Sequence, residues 1–289
     1  MTGSPFLEQV RNAIRVRHYS IRTEQAYIQW IKHFIFYHNK RHPKDMGEEE
    51  IRHFLTYLAT GRNVSPSTQN QALNALNFLY RQVLDRELSG IDFVRAKKEG
   101  KLPVVLTADE VIAVLNNLDG IYWMMGNLLY GAGLRLMECL KLLRVKDLDF
   151  SHRAILVRDG KGGKNRVTIL PDPGIPQLKV HLQNCQLIHQ REPAQGFGTV
   201  YLPYALERKY PNANKEWGWQ HVFPAKQRSK DPRSGRMQRH HVYPRSLQKV
   251  VNTAVPKAGI IKPASCHTFR HCFATHRNKG TRPFYGGEC

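Results

Sequence analysis

The apolar positions of residues 6–90 repeat with the period of amphipathic helices. In the clearest segment they fall three or four residues apart, which places them on one face of a helix. These positions are Tyr27, Trp30, Ile31, Phe34 and Ile35. Thr23 comes just before the pattern, and we expect its side chain to cap the N-terminus of this helix.

Two more helices are predicted before residue 90. Three glutamates at 48–50 suit the positive end of a helix dipole, and the apolar positions that follow predict a buried face. These positions are Ile51, Phe54, Leu55 and Leu58. The pair Ser65-Pro66 is typical of a helix start. Because short-linked helices of this kind form bundles, we assign residues 1–92 to a helical N-terminal domain.

The segment 93–106 is charged and has no apolar period, so we interpret it as a basic linker. The stretch Thr107-Ala108-Asp109-Glu110 is a capping box that opens a second domain, residues 107–289. This domain is predicted to hold a mostly apolar helix over about 121–131 and another over 174–190. The expected fold class is mainly α with a small β-sheet.

Residues 153–170 predict a β-hairpin. The runs Ala154–Val157 and Val167–Leu170 are typical of strands, and the loop between them is rich in glycine and basic residues. A lysine at a hairpin tip can enter a groove without distorting the fold. Lys161, which lies between two glycines, is the candidate, and Lys164 is the alternative. The ordinary interpretation of either is an exposed turn lysine.

The charge of the chain indicates a polyanionic partner, which the helical pattern alone does not. Lysine and arginine outnumber aspartate and glutamate by 44 to 23, for a net charge of +21. This excess favours nucleic acid first and a membrane surface second. The longest apolar segment is broken by glycines, so no membrane span is predicted. Five cysteines without framework spacing indicate reduced thiols, and the absence of a signal sequence predicts a cytoplasmic protein.

His267 and Arg270 carry the candidate chemistry. Three residues apart, they share one face of a helix, and a guanidinium beside a proton-transfer group suits reaction at a phosphodiester. Arg135 follows a glycine-containing turn upstream. Because a buried arginine is costly unless it is paired or faces an anion, Arg135 is predicted either to bind phosphate or to form a salt bridge with Glu138.

The same stretch also invites a zinc interpretation. The possible ligands are Cys266, His267, His271, Cys272 and His276. On a helix with 3.6 residues per turn, Cys272 lies about 140° around the axis from His267, so four ligands would not converge. We therefore expect neither a metal nor another cofactor.

Aromatic and basic residues interleave over residues 193–245. Between His221 and Arg245 there are seven lysines or arginines, Arg239 among them, and one acidic residue, Asp231. Exposed aromatic rings beside positive charge suit stacking on unpaired bases. The rings that offer flat surfaces are Trp217, Trp219, Pro232, His240 and His241. The alternative for the two tryptophans is a local core.

In their order and spacing, these motifs resemble the tyrosine site-specific recombinases. The match runs from residue 6 to His276 and comprises the helical domain, T-x-x-E, G-x-G-L-R-x-x-E, the G-K-G hairpin and H-T-F-R-H-x-F-A-T-H. The segment 193–245 resembles the insert of the integron integrases. The resemblance implies a SAM-like core-binding domain followed by the recombinase catalytic domain.

The resemblance also implies a mechanism without ATP or metal. A tyrosine attacks the scissile phosphate and forms a 3′-phosphotyrosine, while Arg135 and Arg270 hold its non-bridging oxygens. Lys161 protonates the leaving 5′-oxygen, and His267 assists proton transfer. Four protomers assemble on two DNA sites. Integron integrases recombine duplex attI with attC folded from a single strand, whose bulged bases the insert holds. Lys164 and Arg239 are further DNA-contact candidates.

The sequence departs from the family after His276. Residues 277–289 lack an apolar helical period, and several glycines and a proline interrupt them. Tyr285 is the only tyrosine after the histidine–arginine box, 15 residues beyond Arg270, which is about half the family interval. We therefore expect a truncated or frameshifted end, no cleavage and weakened assembly.

Two other functions stay open. One is a non-catalytic protein that occupies duplex or folded single-stranded attachment sites. The other is a generic nucleic-acid-binding module. The generic module is disfavoured because charge alone would not place Arg135, Lys161, His267 and Arg270 in this order.

Overall fold

The computed structural model describes residues 4–88, 102–160, 163–202, 206–232 and 234–278. The chain divides into two compact units, an N-terminal unit of residues 1–101 and a C-terminal unit of residues 102–289. The fold is mainly helical with small antiparallel sheets, as predicted. Within the described residues, no helix has both the length and the apolar character needed to cross a bilayer.

The N-terminal unit contains four α-helices in its described part. They are α1 (Pro5–Val16), α2 (Ile21–Tyr37), α3 (Glu48–Thr56) and α4 (Pro66–Gln82). The predicted cap of α4 is confirmed, since the Ser65 hydroxyl accepts the Thr68 N–H. The prediction for α2 was wrong by one turn. Ser20 is the capping residue and accepts the N–H of Thr23, because the backbone becomes helical directly after Ser20.

Helices α2 and α3 bury apolar residues of the faces that the sequence predicts, and α4 packs against both helices. Phe34 of α2 and Phe54 of α3 meet edge to face, with ring centroids 5.6 Å apart, and both are buried. The residue Tyr80 of α4 is buried too, and its hydroxyl donates to the Pro43 carbonyl at 3.0 Å. One apolar core therefore holds α2, α3 and α4 together.

The C-terminal unit is built around one apolar helix. Its α-helices in the described residues are α5 (Ala108–Leu115), α6 (Gly120–Gly131), α7 (Ile175–Arg191), α8 (Leu206–Lys209), α9 (Pro244–Lys257) and α10 (Cys266–Asn278). The helix α6 packs against α5, α7, α9 and α10. The predicted capping box at Thr107 and Glu110 is present at the start of α5. Because α6 is buried over most of its surface, its packing in the core fixes the positions of the elements that follow it.

A buried histidine fixes the end of α10. Tyr130 of α6 donates its hydroxyl to Nδ1 of His276 at 2.8 Å. The other ring nitrogen, Nε2, lies 3.0 Å from the Leu106 carbonyl, so it must carry the proton. Burial raises the pKa of Tyr130 to about 12, which keeps the phenol protonated. The pair ties α6, α10 and the segment before α5 into one unit.

The predicted hairpin lies in a three-stranded antiparallel sheet of order β1-β2-β3. The strands are β1 (Leu148–Asp149), β2 (Ala154–Val157) and β3 (Arg166–Ile169). The last strand starts one residue earlier than predicted, because Arg166 pairs with Val157 across the hairpin. The Thr168 hydroxyl donates to the Ala132 carbonyl at 2.8 Å. This bond holds β3 beside the turn that follows α6.

The segment 193–245 contains α8 and a small two-stranded sheet, β4 (Ser229–Lys230) with β5 (Met237–Gln238). Arg144 joins it to the rest of the unit. Its guanidinium donates to the Trp219 carbonyl at 2.9 Å and the Tyr201 carbonyl at 3.2 Å. Burial lowers the pKa of Arg144 to about 10, and the nearby carboxylate of Asp147 opposes this shift only in part.

Gly133 offers a test of the turn after α6. It has φ +61, and a Cβ there would overlap the ring of Phe273 on α10. We expect Gly133→Ala to lower the unfolding free energy of the C-terminal unit by about 3 kcal/mol, through backbone strain plus overlap. Gly120 is the matched control, because it has φ +52 with open space around it. Strain alone makes Gly120→Ala cost about 1 kcal/mol.

Urea-dependent hydrogen exchange of α6 and α10 peptides measures both variants. Equal losses at the two glycines would contradict the close packing of the turn against α10.

Candidate active site

Arg135 lies directly after the Gly133 turn and is bonded to Glu138 through both backbone and side chain. Its backbone N–H donates to Oε2 of Glu138 at 2.8 Å, and its Nη1 donates to Oε1 at 2.7 Å. The salt bridge that was the alternative for Arg135 is therefore present. A third of the arginine side chain, 35%, remains exposed, so the same guanidinium can also meet a ligand.

Two more arginines reach the same carboxylate. Arg166 of β3 donates to Oε1 at 3.0 Å and to Oε2 at 2.7 Å of Glu138. Arg270 of α10 has its Nη1 3.9 Å from Oε2 and donates to the Gly133 carbonyl. Only 3% of the Glu138 side chain is exposed. We call Glu138 with Arg135, Arg166 and Arg270 the arginine cluster.

The arginine cluster has an excess of positive charge. Burial would raise the pKa of Glu138, but hydrogen bonds from Arg166 and Arg135 outweigh it and lower the pKa to about 2. The carboxylate therefore stays charged, yet it is one anion among three cations. Partial burial and the nearby Arg135 lower the pKa of Arg270. A bound anion would relieve this repulsion, and guanidinium groups suit phosphate oxygens.

His267 lies one turn before Arg270 on α10. Its ring is exposed and meets His271 edge to face, with centroids 4.5 Å apart. Partial burial lowers the pKa of His267, followed by the charges of His271, Arg270 and Arg135. An imidazole that is neutral near pH 7 can accept a proton. The position is therefore suited to general base chemistry beside the arginine cluster.

Lys161 lies outside the described residues, but the residue before it does not. A Cβ on Gly160 would lie 3.3 Å from Oε1 of Glu138 and 3.5 Å from Nη1 of Arg166. The N–H of Gly160 donates to the Lys164 carbonyl at 3.1 Å, and Lys164 itself is exposed. The basic loop of the hairpin therefore starts against the arginine cluster.

Sequence reasoning missed Arg166. Along β3, Arg166 and Thr168 are half-buried, whereas Val167 and Ile169 are exposed. The strand thus turns its polar residues inward, opposite to the usual alternation. The available signal was an arginine at the first position of a strand that follows a basic, glycine-rich loop.

The thiols of the box are used in packing. Cys266 and Cys272 are buried, and the Cys272 sulfur accepts the Leu106 N–H at 3.2 Å. Across the ranges that the structure describes, no group of three or more histidine, cysteine or acidic side chains is placed to hold a metal ion.

The two tryptophans of the insert are half-buried. Trp217 packs against the main core, with its ring 5.7 Å from that of His189 on α7. Trp219 packs on a small cluster that includes Val200 and Leu202, and the Lys146 ammonium lies over its ring. The local-core alternative describes this packing, and contact of these rings with bases stays a prediction.

The other insert candidates differ in their surroundings. Arg239 donates to Glu192 at 2.9 Å and to two carbonyls at 2.7 Å, so its guanidinium cross-links the insert. His241 stands edge to face with buried His221 at 5.5 Å, and burial lowers both pKa values. His240 is half-buried and Pro232 is exposed.

The chain belongs to the phage integrase family. Residues 6–90 match the N-terminal SAM-like domain of phage integrases, and residues 104–282 match the phage integrase family itself. This confirms the predicted tyrosine recombinase class, because relatives named tyrosine recombinase align over most of the chain.

Individual relatives agree with this assignment. Proteins named integrase/recombinase from Escherichia coli and Pseudomonas aeruginosa are each 47% identical over 270 residues, covering 93% of this chain and 80% of theirs. Among solved structures, a lambda integrase tetramer bound to a Holliday junction has a TM-score of 0.60 at 14% identity, covering 95% of this chain and 69% of that one. The XerH recombinase bound to difH has a TM-score of 0.60 at 17% identity, covering 96% and 76%. At such identities these two show the fold.

The charge of Glu138 should be visible as a pH-dependent contribution to stability. Lowering its pKa from 4.5 to about 2 corresponds to about 3 kcal/mol. The contribution is complete above the unfolded-state pKa and disappears as pH falls toward 2. Glu138→Gln should therefore be less stable than the parent protein at pH 6, and the difference should shrink between pH 5 and 3.

Urea unfolding of the C-terminal unit at several pH values measures this difference. A difference that stays constant from pH 6 to 3 would show that the ionised carboxylate is not what holds the arginines.

Proposed function

We propose that the protein is an integron-type integrase that binds attachment-site DNA and places one phosphodiester in the arginine cluster. The observation that carries the proposal is three guanidiniums around one buried carboxylate, within a recombinase family fold. In this role Arg135 and Arg270 hold the non-bridging oxygens and offset charge that builds in the transition state.

The remaining roles are those that the cleavage reaction of the family would give to His267 and Lys161 once a tyrosine is placed at the phosphate. His267 assists proton transfer at the attacking oxygen, and Lys161 protonates the 5′-oxygen that leaves. The position of Gly160 against Glu138 supports this assignment, because Gly160 directly precedes Lys161 in the sequence. Neither step requires a metal or nucleotide cofactor.

The proposed partner is DNA, as duplex attI and as attC folded from a single strand. A net charge of +21 supports a polyanionic partner. Family-related structures are recombinases bound to DNA, one of them a tetramer on a Holliday junction. We extend both properties to this chain, with four protomers on two sites.

The insert supports the integron-type assignment. It presents Pro232, His240 and His241 near exposed basic residues, and Trp217 and Trp219 keep part of their surface accessible. These are the groups proposed to hold bulged bases of a folded attC strand, with Lys164 on the neighbouring backbone. Arg239 serves mainly to hold the insert in shape, because Glu192 and two carbonyls occupy its donors.

We further propose that these 289 residues do not cleave DNA by themselves. Tyr285, the tyrosine available after the histidine–arginine box, follows Gly280 and Pro283 in a stretch without a helical apolar period. A nucleophile needs fixed geometry in line with the phosphate, and the sequence around Tyr285 has no helical period that would provide it. The second candidate function follows directly: a protein that occupies attachment sites without chemistry.

Covalent trapping tests whether this chain cleaves DNA, and binding to hairpin and duplex tests the integron-type assignment. The protein is mixed with a folded attC hairpin nicked beside the cleavage position, so that the leaving end of the attacked strand diffuses away. Samples run on a denaturing gel beside Arg135→Ala and Tyr285→Phe variants, and on a native gel beside a duplex of the same sequence. We expect binding that prefers the folded strand, without a covalent adduct.

Each other result has a distinct meaning. An adduct lost in both variants would make Tyr285 the nucleophile and overturn the proposed lack of cleavage. Equal, purely salt-dependent binding to hairpin and duplex would contradict the integron-type assignment and favour a generic binder. No binding to either DNA would overturn the proposed function altogether.

A further inference from the structure

We propose that Arg166 is a positioning residue: by bonding to both oxygens of Glu138, it leaves Arg270, and the guanidinium donors of Arg135 that Glu138 does not use, available to hold a phosphate. The inference rests on the proposed function, because it concerns the same site. It assigns a role to a residue that lies on β3, outside the two motifs that carry the phosphate-binding arginines.

The first step is how the three arginines share the two carboxylate oxygens of Glu138. Within the described residues, the ion pairs of Arg135, Arg166 and Arg270 all go to Glu138. Arg166 takes a hydrogen bond to each oxygen, at 3.0 and 2.7 Å. Arg135 gives one side-chain bond, and Arg270 stays at 3.9 Å. Arg166 is therefore the arginine whose side chain bonds to both carboxylate oxygens.

The second step is what this division leaves available. A carboxylate prefers two parallel bonds from one guanidinium. With Arg166 in that place, Arg270 keeps its distance from Glu138, and 26% of its side chain is exposed. Without Arg166, a small rotation of the carboxylate would bring Arg270 within bonding distance. Its donors would then face Glu138 instead of a ligand.

The third step connects Arg166 to the basic loop. Arg166 ends this loop, and Gly160 near its start packs against both Glu138 and Arg166. A bond from the Asp159 N–H to the Asn165 side chain, 2.9 Å long, closes the base of the loop. The Arg166–Glu138 ion pair therefore lies against the described base of the basic loop.

The test measures how much one phosphate contributes to the affinity for DNA. It requires no cleavage. The probe is the attC hairpin that binds in the native gel, with a neutral methylphosphonate replacing the phosphate at the cleavage position. For the parent protein we expect binding to weaken about tenfold on this replacement, the size of one charge-assisted interaction. For Arg166→Ala we expect less than a twofold change, because the arginines no longer face the phosphate.

Two further variants separate positioning from direct contact and from simple loss of charge. Arg166→Lys keeps the positive charge but cannot make the two parallel bonds of a guanidinium. Relative to Arg166→Ala, it should recover only part of the phosphate response. The double variant Arg166→Ala/Glu138→Gln removes the carboxylate charge that would capture Arg270, so it should recover most of the response. Arg153→Ala is the matched control: Arg153 directly precedes β2 and pairs with Asp172, and the response of this variant should equal that of the parent.

The outcomes distinguish this inference from the proposed function. If the parent protein binds the methylphosphonate hairpin as tightly as the unmodified hairpin, the arginine cluster does not bind this phosphate. That result would contradict the proposed function itself. A tenfold response in the parent that persists in Arg166→Ala would overturn the positioning role alone. If Arg166→Ala loses the response and the double variant does not regain it, capture of Arg270 by Glu138 is not the cause of the loss, and the positioning role is wrong.

Discussion

A buried carboxylate holds this site together. Glu138 is almost inaccessible to water, and it remains charged because guanidinium groups from three separate elements bond to it or face it. The turn after α6 supplies Arg135, β3 supplies Arg166 and α10 supplies Arg270. Removing the charge of Glu138 would leave three cations side by side, so the relative placement of these elements depends on this one group.

The surrounding packing serves the same arrangement. Gly133 allows the chain to turn tightly enough for α10 to pack against it, and its carbonyl accepts a bond from Arg270. At the other end of α10, His276 bonds to Tyr130 and to the Leu106 carbonyl. With α10 held in its middle and near its C-terminal end, its exposed His267 has a defined position beside an electropositive surface. Such fixed polar groups can stabilise developing charge without rearranging.

Different interactions join the insert to the rest of the C-terminal unit. Its junction with the rest of the unit is the buried Arg144, which donates to carbonyls and lies 3.4 Å from a nitrogen of buried His221. Burial keeps this histidine neutral by lowering its pKa, since a second charge beside Arg144 would be costly. Half-buried tryptophans complete the junction, so the segment is a packed subdomain in which Arg239 points inward while Lys226 and Lys230 are exposed.

The sequence by itself determined the helices, the hairpin and the order of the candidate site residues. Helical periods, caps and strand runs are local properties, and Ser65, the Thr107 capping box and the apolar faces appear where the sequence predicts them. Only the tertiary structure decided what surrounds Glu138. The inward turn of Arg166 on β3, against the usual alternation, arises because a buried carboxylate from a distant part of the chain attracts it. Attraction between groups 28 residues apart leaves no local period in the sequence.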